Sequence, residues 1–597
     1  MMEPQQRWPV NLRSPGPLLV LVLALSYLPF LNQAFHIDDP LYLAVADNIL
    51  AKPLFPYDYA APYEGFVSPD AASHSHLPLT SYYLAFIKLL GNPQAEWVYH
   101  LAFFAFPLLA VLAFYDLSGR FVKSPATAAC LLLFSPAFLV ISHTLSPDVP
   151  MLAFWLLALS RFFRIVDTGG RRGDWIVLFA GLLAACFVSL LSLGLILLMA
   201  AHCLIGYSLP GGRTLRHVPP RALLLIAGIP LLLWTGWYVR AYLHYDRFVL
   251  VNTLLHMDQR STFSAALIGL KGVSFLLNLG GVMLFPLALW YGLAKKWSLR
   301  IFLLIFLLST LPFFLGSSGA EEWEWPHVAL FSLLFSSGLL ALWSALAALA
   351  RVLRHLARTW GLGLLPSPDP DPQPEEAKWW TESLLVFWFF GILAACLILF
   401  YSGSVRYSLL ILPPVILLWQ TRLEDRVQNP WLLRNLGWLT VFLSLSLSLP
   451  LAHRDYQFAG LYRTTARELT GEYAEEDRRV WFTGEWGFRY YMNYNGATAL
   501  NKDEIGAQPG DVLIKPYVAL PWVTPYDGQE YLALLEQRPA PPHRLQILDF
   551  FSHAGFYSTG WGILPFSFST SPRWEWFNVF VIKKVYDGPP PVVDRPW

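Results

Sequence analysis

Charged residues are scarce in this 597-residue sequence. Asp, Glu, Lys and Arg make up 14% of it and hydrophobic residues 55%, whereas soluble proteins carry roughly 25% charged residues. The net charge is +1, so the sequence has no excess of positive charge that would suggest nucleic-acid binding. Long apolar runs fill residues 17–450, while residues 451–597 have the composition of a soluble protein. These features predict an integral membrane protein with one soluble region.

The sequence also lacks the motifs of several enzyme classes. No GxGxxG follows a strand pattern and no Walker sequence occurs, so nucleotide-driven chemistry is unsupported. The cysteines all lie inside apolar runs, which leaves no disulfide framework and no CxxC zinc motif. We expect them to be buried apolar side chains; they are Cys130, Cys186, Cys203 and Cys396.

The apolar runs predict an α-helical polytopic membrane protein with about 13 transmembrane helices. A helix needs roughly 20 mostly apolar residues to cross a bilayer. The fifth and sixth predicted spans are nearly continuous, and the twelfth is short. The predicted spans are residues 16–35, 98–118, 125–143, 149–166, 174–191, 192–209, 221–240, 267–293, 299–316, 327–350, 379–401, 407–420 and 431–450.

The distribution of Lys and Arg predicts the orientation of these spans. With the N-terminus in the cytoplasm, the inner loops carry 21 Lys and Arg residues and the outer loops of the same region carry 7. Cytoplasmic loops are enriched in these residues. We therefore expect a multi-pass protein of the inner (plasma) membrane with an extracytoplasmic C-terminal domain. Residues 361–376, rich in Pro and Asp, are then a cytoplasmic linker.

The first outer loop, residues 36–97, follows the first predicted span. It opens with His-Ile-Asp-Asp-Pro, in which Asp39 suits a helix N-cap and Pro40 the first helical position. Leu41, Val45 and Ile49 then form an apolar stripe. This pattern predicts an amphipathic helix on the membrane surface, and a second such helix is expected from Pro78 onward. A loop built in this way would wall a cavity.

The sequence divides into a membrane domain, residues 1–450, and a C-terminal domain, residues 451–597. The second contains four segments rich in β-branched and aromatic residues, which predict strands, and two segments that predict helices. Strands that alternate with helices indicate a small α/β domain. The predicted strands are residues 479–483, 511–515, 544–550 and 577–583, and the predicted helices are residues 456–473 and 526–537.

Four short motifs in the membrane domain suggest a family. They are DDPLY (38–42), HLPL (76–79), SPAFLVISHTLSPDVP (135–150) and RYSLLILPPVILL (406–418). In their order and sidedness they resemble the membrane glycosyltransferases of the GT-C fold, in particular the protein O-mannosyltransferase and lipid A aminoarabinose transferase group. The resemblance covers roughly residues 17–450, which would be the catalytic domain.

This chain departs from the family pattern at two places. Many members have Asp-Glu where this chain has Asp38-Asp39, and Pro-Pro where it has Leu77-Pro78. The first difference keeps both negative charges, and the second should matter little. A C-terminal motif, TGEWG (483–487) followed by two tyrosines, looks like bacterial relatives of the family but suggests no role by itself.

The resemblance implies transfer of a sugar from a polyprenyl-phosphate carrier to a lipid, glycan or protein acceptor at the outer face of the membrane. The reaction needs a carboxylate that takes the proton of the acceptor hydroxyl. Asp38 is the first candidate for this base and Asp39 the second. Asp148 is a further catalytic candidate, because it lies at the outer end of a predicted span; it would help to hold the acceptor or a metal ion.

The departing carrier phosphate needs positive charge to stabilise it. Arg406, followed by Tyr407, matches the family's Arg-Tyr position and is the first candidate. Lys88 and Arg240 are further outer-face cations that could serve. No cofactor is certain, but a His-x-His pair in the first outer loop could bind the acceptor or a divalent metal ion; the pair is His74 and His76.

Two other classes of protein fit a polytopic chain. A transporter or lipid flippase would show internal repeats and broken helices at mid-membrane, whereas this sequence has no obvious repeat and its acidic residues cluster at one face. A non-catalytic membrane scaffold would act through the C-terminal domain. The glycosyltransferase remains the preferred hypothesis because both of its chemical requirements have candidate residues on one face of the membrane.

Overall fold

The computed structural model is mostly helical, and its strands are concentrated near the C-terminus. The predicted residues His74 and His76, and residues 361–372 of the predicted linker, lie outside the described residues. The structure describes residues 15–63, 66–68, 70–71, 77–91, 95–208, 215, 217–246, 264–283, 296–314, 323–359, 373–400, 402–501, 506–520, 528–569 and 573–585.

Helices occur at all thirteen predicted spans. Short 3₁₀ segments cover Leu28–Phe30, Leu190–Ser192 and Arg406–Ile411, and π-helical turns cover Leu224–Gly228 and Leu279–Met283. The α-helices are α1 (Pro15–Tyr27), α2 (Asp39–Ala51), α3 (Leu79–Leu90), α4 (Glu96–Phe103), α5 (Ala105–Ser118), α6 (Pro125–Leu133), α7 (Pro136–Ile141), α8 (Asp148–Thr168), α9 (Arg172–Val188), α10 (Leu193–Ser208), α11 (Pro220–Leu223), α12 (Ile229–Tyr245), α13 (Ala265–Asn278), α14 (Lys296–Phe314), α15 (Trp325–Thr359), α16 (Gln373–Ile398), α17 (Leu412–Arg426), α18 (Pro430–Glu475) and α19 (Trp486–Tyr494).

Among the described residues, 8 helical segments are long and apolar enough to cross a membrane, which makes this a multi-pass membrane protein. The count of thirteen spans stays a prediction. The third predicted span, for example, is broken between α6 and α7, where the Ser135 hydroxyl caps α7 by accepting a hydrogen bond from the Phe138 amide at 3.1 Å. The eight segments are Glu96–Ser118, Asp148–Thr168, Leu190–Tyr207, Pro220–Tyr245, Ala265–Met283, Trp325–Arg358, Trp379–Ile398 and Pro430–Glu475.

The first outer loop contains the two predicted helices, α2 and α3, which pack against each other. The N-cap of α2 is Asp38, so the expectation that Asp39 caps this helix was wrong. The shift arises because the Asp39 side chain bonds to backbone amides outside α2. Val45 and Ile49 of the predicted stripe are buried, whereas Asp47 is exposed. The apolar face of α2 therefore packs against protein.

Helix α18 is 46 residues long and joins the two regions of the chain. The last predicted span, 431–450, and the predicted helix 456–473 are parts of this one helix. Pro450 is accommodated within it. The boundary predicted at residue 450 therefore falls inside a continuous helix, and the C-terminal domain is built on its extension.

The C-terminal domain contains a five-stranded mixed sheet with the order β4-β3-β5-β11-β6. Strands β4, β3 and β5 are parallel, and β11 pairs antiparallel with β5 and β6. All four predicted strand segments contain strand structure. The strands are β1 (Ala61–Tyr63), β2 (Phe66–Ser68), β3 (Val480–Phe482), β4 (Thr498–Ala499), β5 (Val512–Pro516), β6 (Leu532–Pro539), β7 (Leu545–Gln546), β8 (Leu548–Asp549), β9 (Ala554–Gly555), β10 (Ser567–Phe568) and β11 (Trp576–Ile582).

The prediction of a helix at residues 526–537 was wrong, because this segment contributes strand β6. Its Leu-Ala-Leu-Leu-Glu-Gln sequence has high helix propensity. Pairing with β11 along Leu532–Pro539 nevertheless satisfies its backbone. Propensity is a weak preference that tertiary pairing can override.

Candidate active site

The acidic pair at the start of α2 lies against the segment that precedes α17. The Arg406 Nη1 atom donates to the Asp38 Oδ2 atom at 2.5 Å. Both side chains are largely buried: 12% of the Arg406 side chain and 21% of the Asp38 side chain are exposed. The structure thus brings together the predicted base and the predicted phosphate-binding cation, which are 368 positions apart in the chain.

The Arg406 side chain is held from several sides. Its Nη2 atom donates to the Tyr407 hydroxyl at 3.3 Å, and the guanidinium carbon lies 5.1 Å from the centre of the Tyr407 ring. That ring stacks on Phe400 with 3.9 Å between centroids. The Nε atom is buried and has no hydrogen-bond partner among the described residues. Arg406 therefore has a hydrogen-bond donor left for another acceptor.

Asp148 belongs to the same cluster. It is buried at the first position of α8, where its Oδ2 atom accepts a hydrogen bond from the Ser146 hydroxyl. Burial alone would lower the pKa of the Arg406 guanidinium, but the negative charges of Asp38 and Asp148 hold it well above its ordinary value. Two carboxylates therefore act on one permanently charged guanidinium.

Asp39 has a different environment from Asp38. Its side chain is 1% exposed, and its two oxygens accept hydrogen bonds from the His36 amide at 2.9 Å and the Leu145 amide at 2.8 Å. Burial raises the pKa of Asp39 to about 8, against the lowering effect of these two amides. Asp39 thus joins the loop that precedes α2 to the turn that precedes α8.

The other predicted cations bind elsewhere. Lys88, on α3, forms an ion pair with Asp47 of α2 and donates to the Leu43 carbonyl at 3.3 Å. Arg240, on α12, donates to the Leu54 carbonyl and lies over the Phe55 ring at 4.9 Å. Neither residue contacts Asp38 among the described contacts.

The predicted metal site stays a prediction, because His74 and His76 lie outside the described residues. Among the residues that the structure does describe, no group of three or more His, Cys, Asp or Glu side chains is arranged to hold a metal ion.

Sequence reasoning missed a buried polar cluster next to the acidic pair. The Asp455 Oδ1 atom lies 3.3 Å from the His36 Nε2 atom and accepts a hydrogen bond from the Tyr557 hydroxyl at 2.9 Å. The Asp455 Oδ2 atom accepts a hydrogen bond from the side-chain Nε2 atom of Gln33 at 3.1 Å. The available signal was Asp455 itself, an acidic residue just after an apolar run. Tyr42, which interacts electrostatically with Asp38, Arg406 and Asp148, was also missed.

The TGEWG motif packs against the same loop. A side chain at Gly487 would place its Cβ atom 2.2 Å from the Phe35 carbonyl oxygen, so only glycine fits this contact. The Tyr491 hydroxyl accepts a hydrogen bond from the Phe35 amide at 2.8 Å and donates to Glu96 at 3.0 Å. Gly487 and the nearby Tyr491 therefore fix the chain just before His36, which accounts for the last glycine of the motif without assigning the motif a role in chemistry.

A family model of dolichyl-phosphate-mannose-protein mannosyltransferases matches residues 73–237. The match contains Asp148 and Lys88 and covers about a quarter of the chain, whereas Asp38 and Arg406 lie outside it. The chain is similar to GT-C membrane glycosyltransferases. The resemblance drawn from the motifs is thereby confirmed. Comparison with curated protein sequences gives no match.

Three solved structures are similar over much of the chain. ArnT from Cupriavidus metallidurans bound to undecaprenyl phosphate is 13% identical, with a TM-score of 0.40, and the alignment covers 85% of this chain and 96% of that one. Archaeal oligosaccharyltransferase AglB from Archaeoglobus fulgidus, in complex with an inhibitory peptide and a dolichol-phosphate, is 11% identical, with a TM-score of 0.44. That alignment covers 84% of this chain and 69% of AglB. Arabinosyltransferase EmbB from Mycobacterium smegmatis is 13% identical, with a TM-score of 0.32, and the alignment covers 92% of this chain and 48% of EmbB. TM-scores this low do not by themselves establish a common fold.

Proposed function

We propose that this protein is a glycosyltransferase that moves a sugar from a polyprenyl-phosphate carrier to a hydroxyl of a lipid, glycan or protein acceptor. The observation that carries the proposal is the convergence of Asp38, Asp148 and Arg406 from three distant parts of a membrane chain. The match to mannosyltransferases that use a dolichyl-phosphate sugar supports the donor class.

Asp38 is the proposed general base. Its N-cap position leaves the side chain without a capping hydrogen bond, so its main described partner is Arg406. Asp39 is a poorer candidate, because both of its oxygens already accept backbone hydrogen bonds. In the proposed reaction the acceptor oxygen attacks the anomeric carbon and its proton passes to Asp38, while the bond between that carbon and the phosphate oxygen breaks.

Arg406 is the proposed partner of the leaving group. When the carbon–oxygen bond breaks, its electron pair goes to the carrier phosphate, and the guanidinium stabilises the added negative charge. The unpartnered Nε atom supplies a donor for a phosphate oxygen. Phosphate binding would also compete with Asp38 for the Nη1 atom, which would free the carboxylate to act on the acceptor hydroxyl. Tyr407 and Asp148 would complete the site.

The proposal also includes the setting of the site. Thirteen spans, a cytoplasmic N-terminus and an outward-facing C-terminal domain would put Asp38 at the outer face of the inner (plasma) membrane. The excess of Lys and Arg in the predicted inner loops supports this orientation. The lipid tail of the carrier would then lie in the bilayer and its sugar at the outer surface. The proposal also includes a divalent metal ion bound by His74 and His76, which no described residue tests.

The test is consumption of a radiolabelled polyprenyl-phosphate sugar by the purified protein, with a membrane extract as the source of acceptors. We expect the wild type to release the label from the carrier. Arg406→Ala should release at least about tenfold less, because the leaving phosphate loses its cation. Lys88→Ala is the matched control, since this outer-loop cation pairs with Asp47 and should be dispensable. Equal loss in both variants, or an inactive wild type, would contradict the proposal.

A further inference from the structure

A two-residue segment of the C-terminal domain contacts the supports of both Asp38 and Arg406. The Phe556 carbonyl accepts a hydrogen bond from the Val405 amide at 3.0 Å, one residue before Arg406. The next residue, Tyr557, donates its hydroxyl hydrogen to Asp455, which lies beside His36, two residues before Asp38. The segment lies 150 or more positions from either member of the ion pair in the chain.

The backbone between His36 and Asp38 is strained. Ile37 has a φ of 47°, a left-handed conformation that β-branched residues rarely adopt. Such a conformation persists only where the surrounding structure holds it, and it is most often found at functional sites. The bend turns the chain so that Asp38 faces Arg406 while His36 faces the interior, where its side chain is fully buried.

The restraints on this bend can be identified one by one. On its near side the His36 ring lies between Phe458, at 5.0 Å, and Tyr557, at 5.5 Å, with its Nε2 atom 3.3 Å from Asp455. On its far side the Asp39 amide donates to the His36 carbonyl at 3.0 Å, and the His36 amide donates to the Asp39 carboxylate at 2.9 Å. The C-terminal half of the protein contacts the ring itself, and through Tyr491 it also holds Phe35, the residue before the bend. Asp455 is the ring's only described acidic neighbour within ion-pair distance.

We propose that Asp455 and Tyr557 are positioning residues for the Asp38–Arg406 pair: they hold the His36 ring, and so maintain the strained bend that directs Asp38 at Arg406. This deepens the proposed function and rests on it. It also gives the C-terminal domain a role in the reaction, because Tyr557 comes from that domain and Asp455 from the extension of α18. The domain would organise the site without contributing a group that touches the substrate.

The test uses two variants that remove small groups. Tyr557→Phe deletes the hydroxyl that donates to Asp455. Asp455→Asn removes the negative charge beside His36 and keeps an oxygen that can accept from Tyr557. The Gln33 Oε1 atom is buried and has no hydrogen-bond partner among the described residues, so a flipped Gln33 amide can accept from the new Asn nitrogen. Both variants should therefore fold.

Tyr462→Phe is the matched control. Its hydroxyl donates at 2.7 Å to the buried carboxylate of Glu575, so the variant removes the same atom from the same kind of bond. Tyr462 also lies on α18, the helix that carries Asp455. Its hydroxyl is directed at Glu575 in the C-terminal domain and not at Asp455 or His36. A loss that comes only from lower stability should appear equally in this control.

The first measurement is the turnover of the radiolabelled polyprenyl-phosphate sugar. Misplacing a catalytic group by about 1 Å can cost about 100-fold in rate. We expect Tyr557→Phe to lower kcat about 10- to 100-fold and Asp455→Asn at least as much, with KM for the carrier within about twofold of wild type. Tyr462→Phe should retain wild-type kcat. Wild-type kcat in both positioning variants, or an equal loss in the control, would overturn the proposal.

The second measurement does not depend on activity. Amide hydrogen exchange in peptides that cover residues 35–42 reports the bend directly, because the His36 and Asp39 amides are hydrogen-bonded within it. We expect faster exchange there in Tyr557→Phe and Asp455→Asn but not in Tyr462→Phe. Unchanged exchange would overturn the proposal even if kcat falls. A wild type that transfers no sugar, together with faster exchange in the variants, would reject the proposed reaction and leave the restraint on the bend established.

Discussion

The Arg406 guanidinium donates to the Asp38 carboxylate at 2.5 Å, and this contact joins the start of the first outer loop to the segment before α17. Opposite charges held this close raise the cost of removing either one, because the remaining charge is left partly buried without its partner. While the pair is formed, Asp38 occupies one hydrogen-bond donor of Arg406, and Arg406 occupies one oxygen of Asp38. A phosphate that takes the Nη1 atom of Arg406 would displace Asp38 from that atom. The first two predictions test the two members of the pair separately.

Asp38→Asn should abolish most of the transfer activity. The amide keeps the size of the side chain but cannot accept a proton, and loss of one general base typically lowers the rate by about 10² to 10⁴. The measurement is kcat with the radiolabelled carrier. Asp47→Asn is the control, because Asp47 is an exposed carboxylate on the same helix, away from the Arg406 pair. Wild-type activity in Asp38→Asn would remove this residue from the mechanism and leave Asp148 as the carboxylate to test.

Arg406 should determine how strongly the protein binds the carrier phosphate. The forked guanidinium can contact two oxygens at once, which a lysine cannot reproduce. A ligand that binds only the folded protein raises its apparent stability, by about 2.7 kcal/mol at a concentration of 100 times Kd. We therefore expect polyprenyl phosphate to raise the melting temperature most in the wild type, less in Arg406→Lys and least in Arg406→Ala. Arg240→Ala should behave as wild type, and equal shifts in all four proteins would contradict the assignment.

Much of the fold was predictable because its signals are local. The apolar runs, the Asp-Pro sequence near the start of α2 and the β-branched strand segments each depend on a few neighbouring residues. Local signals also limit what could be predicted of the site: they point to individual residues but not to the contacts between distant parts of the chain. Asp38, Asp148 and Arg406 could be proposed from motifs, but the contact of His36 with Asp455 depends on how α18 packs, and no local pattern encodes it. Lys88 was a plausible cation until its partner, Asp47, was known.

The orientation of the membrane domain can be tested by labelling single cysteines with an impermeant thiol reagent in intact cells. We expect labelling at Ala51→Cys and Glu530→Cys, which are exposed positions of the first outer loop and the C-terminal domain. We expect none at Thr168→Cys, the exposed last residue of α8. The four native cysteines are all buried, which keeps the background low. Labelling of Thr168→Cys alone would reverse the orientation and put the proposed site at the cytoplasmic face.

Gly487→Ala should weaken the contact between the C-terminal domain and the first outer loop. The added Cβ atom would lie 2.2 Å from the Phe35 carbonyl oxygen, so backbone must move to relieve the overlap. Overpacking of this kind typically costs about 1–3 kcal/mol, and we expect a lower melting temperature and lower activity. The control is Gly460→Ala in α18, where the new atom meets nothing within 4 Å. Alanine in a helix is favoured over glycine by about 1 kcal/mol, so this variant should be slightly more stable than wild type.

Asp39 should contribute a fall in the free energy of unfolding as the pH rises from about 4 to about 8. Burial raises the pKa of Asp39 from its ordinary value near 4 to about 8 in the folded protein. A group with a raised pKa binds its proton more tightly when folded, so it stabilises the fold below pH 4 and loses that contribution as the pH passes 8. Glu575, whose pKa burial raises to about 7, acts in the same direction over a narrower range.

The measurement that isolates Asp39 is the melting temperature in detergent between pH 5 and pH 8, for the wild type, Asp39→Asn and Glu575→Gln. Asp39→Asn should be less stable than wild type at pH 5. Its side-chain NH2 group would replace one of the two oxygens that now accept hydrogen bonds from the His36 and Leu145 backbone amides, so two donors would face each other. It should nevertheless lose less stability than wild type between pH 5 and pH 8, since it has no proton to release. Compared with wild type, Glu575→Gln should lose less stability between pH 5 and pH 7 and the same amount between pH 7 and pH 8. If the melting temperature of Asp39→Asn changes with pH as steeply as that of wild type, Asp39 is already ionised at pH 5, stabilised by the two backbone amides. Asp39 would then carry a constant negative charge beside Asp38 in this pH range.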